Sequence, residues 1–209
     1  MERRQTRQVK VGKYVLGSSS PVTVQSMLNV PSTDIEGSVR QSVELEKAGC
    51  EIIRAAVPDM EAVRLISAIK EKVSVPLVAD IHFDYRLALE SAEAGIDKIR
   101  INPGNIGGED RVLAVVNVCK ERHIPIRIGV NSGSLEKEIL KKHGSPTPAA
   151  LAESALYHAS LLEKYDFDDI VISIKASNPY NMILANRILA EKCDYPLHLG
   201  VTEAGTPSM

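Results

Sequence analysis

The sequence predicts an α/β fold, a TIM-type (β/α) barrel with seven of its eight strands present in this chain. Three observations lead there. Strand-length apolar runs alternate strictly with helical patterns, as in a parallel sheet covered by helices. Segments two β-α units apart resemble each other. Ala48-Gly49-Cys50-Glu51-Ile52-Ile53-Arg54 matches Ala94-Gly95-Ile96-Asp97-Lys98-Ile99-Arg100, and Pro76-Leu77-Val78-Ala79-Asp80-Ile81-His82 aligns with Pro125-Ile126-Arg127-Ile128-Gly129-Val130-Asn131 and with Pro196-Leu197-His198-Leu199-Gly200-Val201-Thr202. A closed barrel explains that alternation, because its interior layers come from alternate strands; a doubly wound open sheet does not. Third, the strand positions that face away from the helices carry polar side chains in strand after strand.

The elements follow in order. Residues 1–20 are a polar lead-in whose Val9–Gly12 and Tyr14–Gly17 read as two small strands around a turn, placed to plug one end of the fold. Pro21–Met27 is the first core strand. Thr33-Asp34-Ile35-Glu36 has capping-box spacing, and its helix runs to Gly49. Strand two is Ile52–Val57, followed by a helix over Met60–Val73 with Val63, Ile66, Ile69 and Val73 on one face. Strand three is Pro76–Phe83, with its helix over Tyr85–Ala94. Strand four opens at Lys98 and runs into the glycine turn Pro103–Gly108, and a helix follows over Arg111–Arg122. Strand five is Pro125–Asn131. An insertion over Ser132–Pro148 holds a short helical pattern, Leu135–Lys142. The helix Ala149–Tyr165, strand six (Ile170–Ala176), the helix Tyr180–Lys192 and strand seven (Leu197–Glu203) complete the alternation.

Composition narrows the function. At 209 residues and 44% hydrophobic content the chain can bury one substantial core. A net charge of −2, without clustered Lys and Arg among aromatics, argues against nucleic acid as a partner. No apolar run has membrane length, and the basic N-terminus has no apolar signal core behind it, so a cytoplasmic protein is expected. Cys50, Cys119 and Cys193 are widely spaced and form no C-x-x-C pair, which suits a reducing compartment and argues against a metal or iron–sulfur site within these residues.

The repeats fix the facing of side chains. Leu77, Ala79 and Ile81, with Ile126, Ile128 and Val130 and then Leu197, Leu199 and Val201, face the helices. The barrel axis then receives Val78, Asp80 and His82; Arg127, Gly129 and Asn131; His198, Gly200 and Thr202; and also Arg54, Arg100, Asn102, Ser173 and Lys175. Barrel interiors are ordinarily filled with branched apolar residues. Three arginines and a lysine there need counter-charge, and a ligand carrying several negative charges, such as a diphosphate, supplies it. Each residue alone has a plainer reading: Arg54 as a rim ion pair, His82 as a core histidine, Asp80 as a holder of a neighbouring arginine, and Gly104, Gly107 and Gly108 as a tight turn. Their shared register in six strands favours a site.

Several stretches carry a family resemblance. Val24-Gln25-Ser26-Met27, Asp80-Ile81-His82-Phe83, the run from Lys98 to Gly107, the run from Arg127 to Leu135, Ile172–Ser177 and His198–Gly205 together resemble the 4-hydroxy-3-methylbut-2-enyl diphosphate synthases, over essentially the whole chain. The resemblance implies the barrel domain of an oxidoreductase in the deoxyxylulose-phosphate route to isoprenoids. Such an enzyme reductively opens 2-C-methyl-D-erythritol 2,4-cyclodiphosphate with loss of water. It implies electrons from ferredoxin or flavodoxin through a 4Fe–4S cluster, held in a C-terminal domain outside residues 1–209, and a homodimer at full length. Residues 1–209 alone are then expected to carry no cofactor and no turnover. By the same resemblance, Arg54, Arg100, Arg127 and Lys175 would hold the diphosphate. Asp80, His82, Asn102, Asn131 and Glu203 would line the methylerythritol end, with Glu203 foremost for proton handling and Asp80 and His82 beside it. Two other readings share these residues: another phosphate-binding barrel enzyme of the dihydropteroate synthase type, and a non-catalytic anion-binding module.

Overall fold

The computed structural model describes residues 4–200. A hairpin, β1 (Val9–Val11) against β2 (Tyr14–Leu16), precedes a six-stranded parallel sheet in sequential order. Its strands are β3 (Gln25–Met27), β4 (Ile52–Ala56), β5 (Leu77–Asp80), β6 (Lys98–Ile101), β7 (Ile126–Asn131) and β8 (Ile170–Lys175). The helices between them are α1 (Ile35–Lys47), α2 (Arg64–Lys70), α3 (Tyr85–Glu93) and α4 (Glu109–Glu121), then α5 (Lys137–His143) and α6 (Pro148–Glu163) between β7 and β8, and α7 (Pro179–Lys192) after it. Every parallel step has a helical crossover, and the strand order never reverses, which is barrel topology rather than a doubly wound sheet.

The predicted facing holds for strands three and five. Leu77, Ala79, Ile81, Ile126, Ile128 and Val130 belong to the core between sheet and helices, with the stripe Val112, Val115, Val116 and Cys119 of α4. On the other side of the sheet, Val11, with Tyr14 and Leu16, packs on Ile52 and Val78 and plugs the N-terminal end of the barrel. Arg4 and Arg7 clasp the far end of the chain. Arg4 donates to the carbonyls of Ala190, Cys193 and Tyr195, capping the last turn of α7, while Arg7 pairs with Asp194 at 2.9 Å and lies 4.9 Å over the Tyr195 ring.

Four boundaries differ from expectation. The first core strand is paired only over Gln25–Met27: it forms the sheet edge, and Val22 and Val24 stay exposed with nothing packed on them. The cap of α1 is Asp34, whose Oδ1 accepts from Gly37 N at 2.8 Å, rather than Thr33. Strand three ends at Asp80, so His82 and Phe83 fall in the following turn. The seventh strand contributes a single bridge, Ile172 to Leu197. Beyond it Leu199 is 65% exposed instead of facing helices, because no element covers it among the described residues. Residues 201–209, including Glu203, lie outside the described residues.

Candidate anion-binding site

Three neighbouring strands set charged side chains in register on the inner face. Asp80 on β5 stands beside Arg100 on β6, and Arg100 beside Arg127 on β7. Adjacent strands lie about 4.8 Å apart, so guanidinium and carboxylate heads at equal height must meet. Asp80 is the hub: Arg54 Nη2 lies 2.9 Å from its Oδ2 and Arg100 Nη1 3.1 Å from its Oδ1, with His82 Nε2 3.5 Å away. Gly129 makes this arrangement possible. A Cβ there would lie 2.6 Å from Arg100 Nη2, and its carbonyl accepts from that same nitrogen at 3.3 Å.

The interior is short of negative charge. Arg54, Lys98, Arg100, Arg127 and Lys175 converge, and among the described residues Asp80 is the carboxylate paired with any of them. Arg127 is 1% exposed, and its Nε and Nη1 have no partner among the described residues. Lys98 is equally buried, with Gln25 Oε1 3.4 Å from its ammonium. Burial, reinforced by Arg127, pushes the Lys98 ammonium down to about 7. Burial with Arg54 and Arg100 brings Arg127 to about 9. Burial and the three arginines bring Lys175 to about 8, and burial with Arg127, Lys98 and Lys175 brings His198 to about 2. Burial works against ionisation of Asp80, but Arg54 and Arg100 overcome it and hold the carboxyl below the usual carboxylate range. Such a cluster, with more cations than carboxylates to pair them among the described residues, has the chemistry to accept an anion.

The expected site residues Arg54, Asp80, His82 and Arg100 thus meet in one ion network, with Arg127 and Lys175 in the same field. Asn102 directly follows β6, with both side-chain amide atoms buried and without a hydrogen-bond partner among the described residues. Asn131 and Lys175 are in register at the C-terminal ends of β7 and β8. A cavity of about 540 Å³ opens between the β3 edge and residues 196–200, lined by Gln25, Lys98, Lys175 and His198 among others. Lys98 faces inward with Arg100, as its alternation with Ile99 and Ile101 implies, whereas nothing in the sequence marks Gln25. The cysteines do not fit a cluster: Cys119 is buried in the α4 core, with its thiol pushed up to about 12 by that burial, and among the described residues no three His, Cys, Asp or Glu side chains gather to hold a metal. No helix of the described residues is long and apolar enough to cross a membrane.

Comparison with known proteins bears on the fold and the family. Among solved structures, type I 3-dehydroquinate dehydratase of Clostridium difficile superposes with a TM-score of 0.70 at 14% identity, covering 94% of this chain and 81% of that one. Dihydropteroate synthase of Yersinia pestis gives 0.61 at 14% identity, covering 91% and 74%. At such identity the likeness shows the barrel fold alone. Sequence relatives say more. The 4-hydroxy-3-methylbut-2-en-1-yl diphosphate synthase (flavodoxin) of Clostridium perfringens is 59% identical over 99% of this chain and 59% of its own length. The protein of the same name from Symbiobacterium thermophilum is 57% identical, over 99% and 56%. The chain therefore spans somewhat more than half the length of these relatives. The model of the GcpE TIM-barrel domain matches residues 6–209, and the chain belongs to that family.

Proposed function

We propose that the chain is the substrate-binding barrel of a 4-hydroxy-3-methylbut-2-enyl diphosphate synthase, and that its ligand is methylerythritol cyclodiphosphate. The observation that carries this reading is the charge balance on the inner face of the sheet: Arg54, Arg100, Arg127 and Lys175 converge around Asp80, the one carboxylate paired with any of them among the described residues. A diphosphate neutralises that excess and takes up the orphaned Arg127 donors. In the reaction the ring C–O bond to phosphate breaks, electrons and protons enter, and a hydroxyl leaves as water. The four cations stabilise the negative charge gathering on the released diphosphate oxygen. Asp80, ionised and shared between Arg54 and Arg100, orients those guanidinium groups instead of donating a proton. His82, half exposed at the rim, is better placed to serve the departing hydroxyl; the family resemblance gives Glu203 the same task. Asn102 and Asn131 bind the methylerythritol hydroxyls.

The whole enzyme's reductive step needs electrons. Flavodoxin is the donor we infer, from the names of the relatives, with ferredoxin as the other carrier class. The iron–sulfur cluster implied by the family supplies one-electron transfer when present. Because the described residues do not fit it, we assign it to a further domain of a longer, homodimeric protein.

A thermal-shift titration with the cyclodiphosphate, a pterin pyrophosphate and plain pyrophosphate tests this function. A ligand at a hundred times its Kd adds about 2.7 kcal/mol of stability. Selective stabilisation by the cyclodiphosphate, lost in Arg100→Ala, is the expected result. An equal response to plain pyrophosphate would reduce the reading to a general anion site.

A further inference from the structure

His158 lies on α6, outside the barrel, yet it is completely buried. Its Nδ1 accepts from the backbone N–H of Gly104 at 3.2 Å. The proton then sits on Nε2, which faces Glu136 Oε1 at 2.5 Å in a close polar contact rather than an aligned hydrogen bond. One neutral imidazole thereby joins two loops of the C-terminal face. The first is the turn Pro103–Asn105, directly after Asn102. The second is the insertion after β7, in which Glu136 follows Asn131 by five residues. The fit at Gly104 is close: a Cβ there would lie 2.5 Å from His158 Cε1, so glycine is needed because the ring occupies that space.

We propose that His158 is a positioning residue for the polar end of the site, fixing the strand-end Asn102 and Asn131 through the loops that follow them. Asn102 makes the proposal specific. Its amide is buried with neither end hydrogen-bonded among the described residues, so no hydrogen bond of its own holds its orientation. The backbone turn after it does that work: Asn105 N donates to Asn102 O at 2.9 Å, and Gly104 in the same turn is pinned by His158. The arginine row is set by strand register and Asp80, so it does not depend on this tie. Loss of His158 should therefore weaken recognition of the sugar-derived part of a ligand and spare recognition of its phosphates. That division rests on the functional reading above; the tie itself does not.

The experiment compares the wild-type chain with His158→Leu and His158→Gln. It measures amide hydrogen exchange at Gly104, the side-chain amide NMR signals of Asn102, and calorimetric affinities for the cyclodiphosphate and for pyrophosphate. In His158→Leu the Gly104 amide should exchange about tenfold faster or more, and cyclodiphosphate affinity should fall about tenfold, the size of one lost hydrogen bond. The Asn102 signals should shift, while pyrophosphate affinity stays within about twofold. Glutamine can accept from Gly104 and donate to Glu136, so His158→Gln should recover most of each loss. Unchanged Asn102 signals in a folded His158→Leu would overturn the proposal, as would equal losses for both ligands tracking thermal stability. If wild type fails to distinguish the two ligands, the functional reading fails, and exchange and the Asn102 signals still decide the tie. Should His158→Leu not fold, Glu136→Gln, which keeps the ring, is measured in its place.

Discussion

Two levels of the same barrel interior are built on opposite terms. On β5, Val78 is buried beneath the N-terminal hairpin, against Val11 and Ile52. Two residues further along, on the same face, Asp80 is as fully buried but sits between Arg54 and Arg100. The lower level packs Val11, Tyr14, Leu16, Ile52 and Val78 into an apolar cluster, with Arg54 and Lys98 in register beside Val78 on the neighbouring strands. The upper level leaves the Arg54, Arg100 and Arg127 Nε atoms, both Asn102 amide atoms and the Ser173 hydroxyl unsatisfied. Unmade hydrogen bonds of that kind cost stability, and the plug below is what lets the sheet carry them. Stability and ligand demand are thus stacked along one axis, two residues apart.

The sharpest way to break that division is Asp80→Asn. Removing the shared carboxylate leaves two buried guanidinium groups unpaired, and denaturant unfolding should show a loss of about 3–5 kcal/mol. Pyrophosphate should return much of it, which an equivalent lesion in the plug would not allow. Val11→Ala is that control: about 1.5–3 kcal/mol lost to missing apolar burial, with pyrophosphate affinity unchanged in calorimetry. Gly129→Ala tests the upper level without touching a charge. Its methyl displaces Arg100, and pyrophosphate affinity should drop about tenfold for a stability cost of about 1–3 kcal/mol.

The smallest effect is the pH dependence. Lys98 is held near 7 and Lys175 near 8, against an ordinary 10.5, so between pH 7 and 9 the unfolded chain binds more protons than the folded one. Stability of the ligand-free chain should rise across that window. Above pH 9 the trend reverses sign for Cys119, raised from 9.0 to about 12, because there the folded state holds the extra proton. His198, near 2 rather than 6.5, adds nothing above neutrality. Saturating pyrophosphate should flatten the rise by restoring both lysines to their charged forms. A rise that persists unchanged in its presence would place the anion away from Lys98 and Lys175.

Much of this was legible in the sequence because strand period and repeat fix facing without knowledge of the contacts. Asp80, Arg100 and Arg127 could be placed inward together, and Tyr14 and Leu16 could be given to a plug. The edges were not legible. Pro21–Val24 and Leu199 have strand composition, but whether they pair depends on a neighbour that the local sequence does not contain. His158 was hidden for another reason. It stands in the stripe Leu151, Ala155, His158, Leu162 of α6, where a histidine at helical spacing reads as one more core residue. Only the tertiary position of Gly104 and Glu136 gives it partners.

The clasp of Arg4 and Arg7 on residues 190–195 bears on the order of assembly. These contacts span more than 180 positions, as in Arg4 to Ala190, separated by 186. During synthesis the β-α units can stack one after another as they emerge, but the hairpin cannot be locked over the barrel floor until α7 has been made. Until then Ile52 and Val78 are uncovered, and the nascent chain is most exposed to misassociation and to chaperones at its first strands rather than its last.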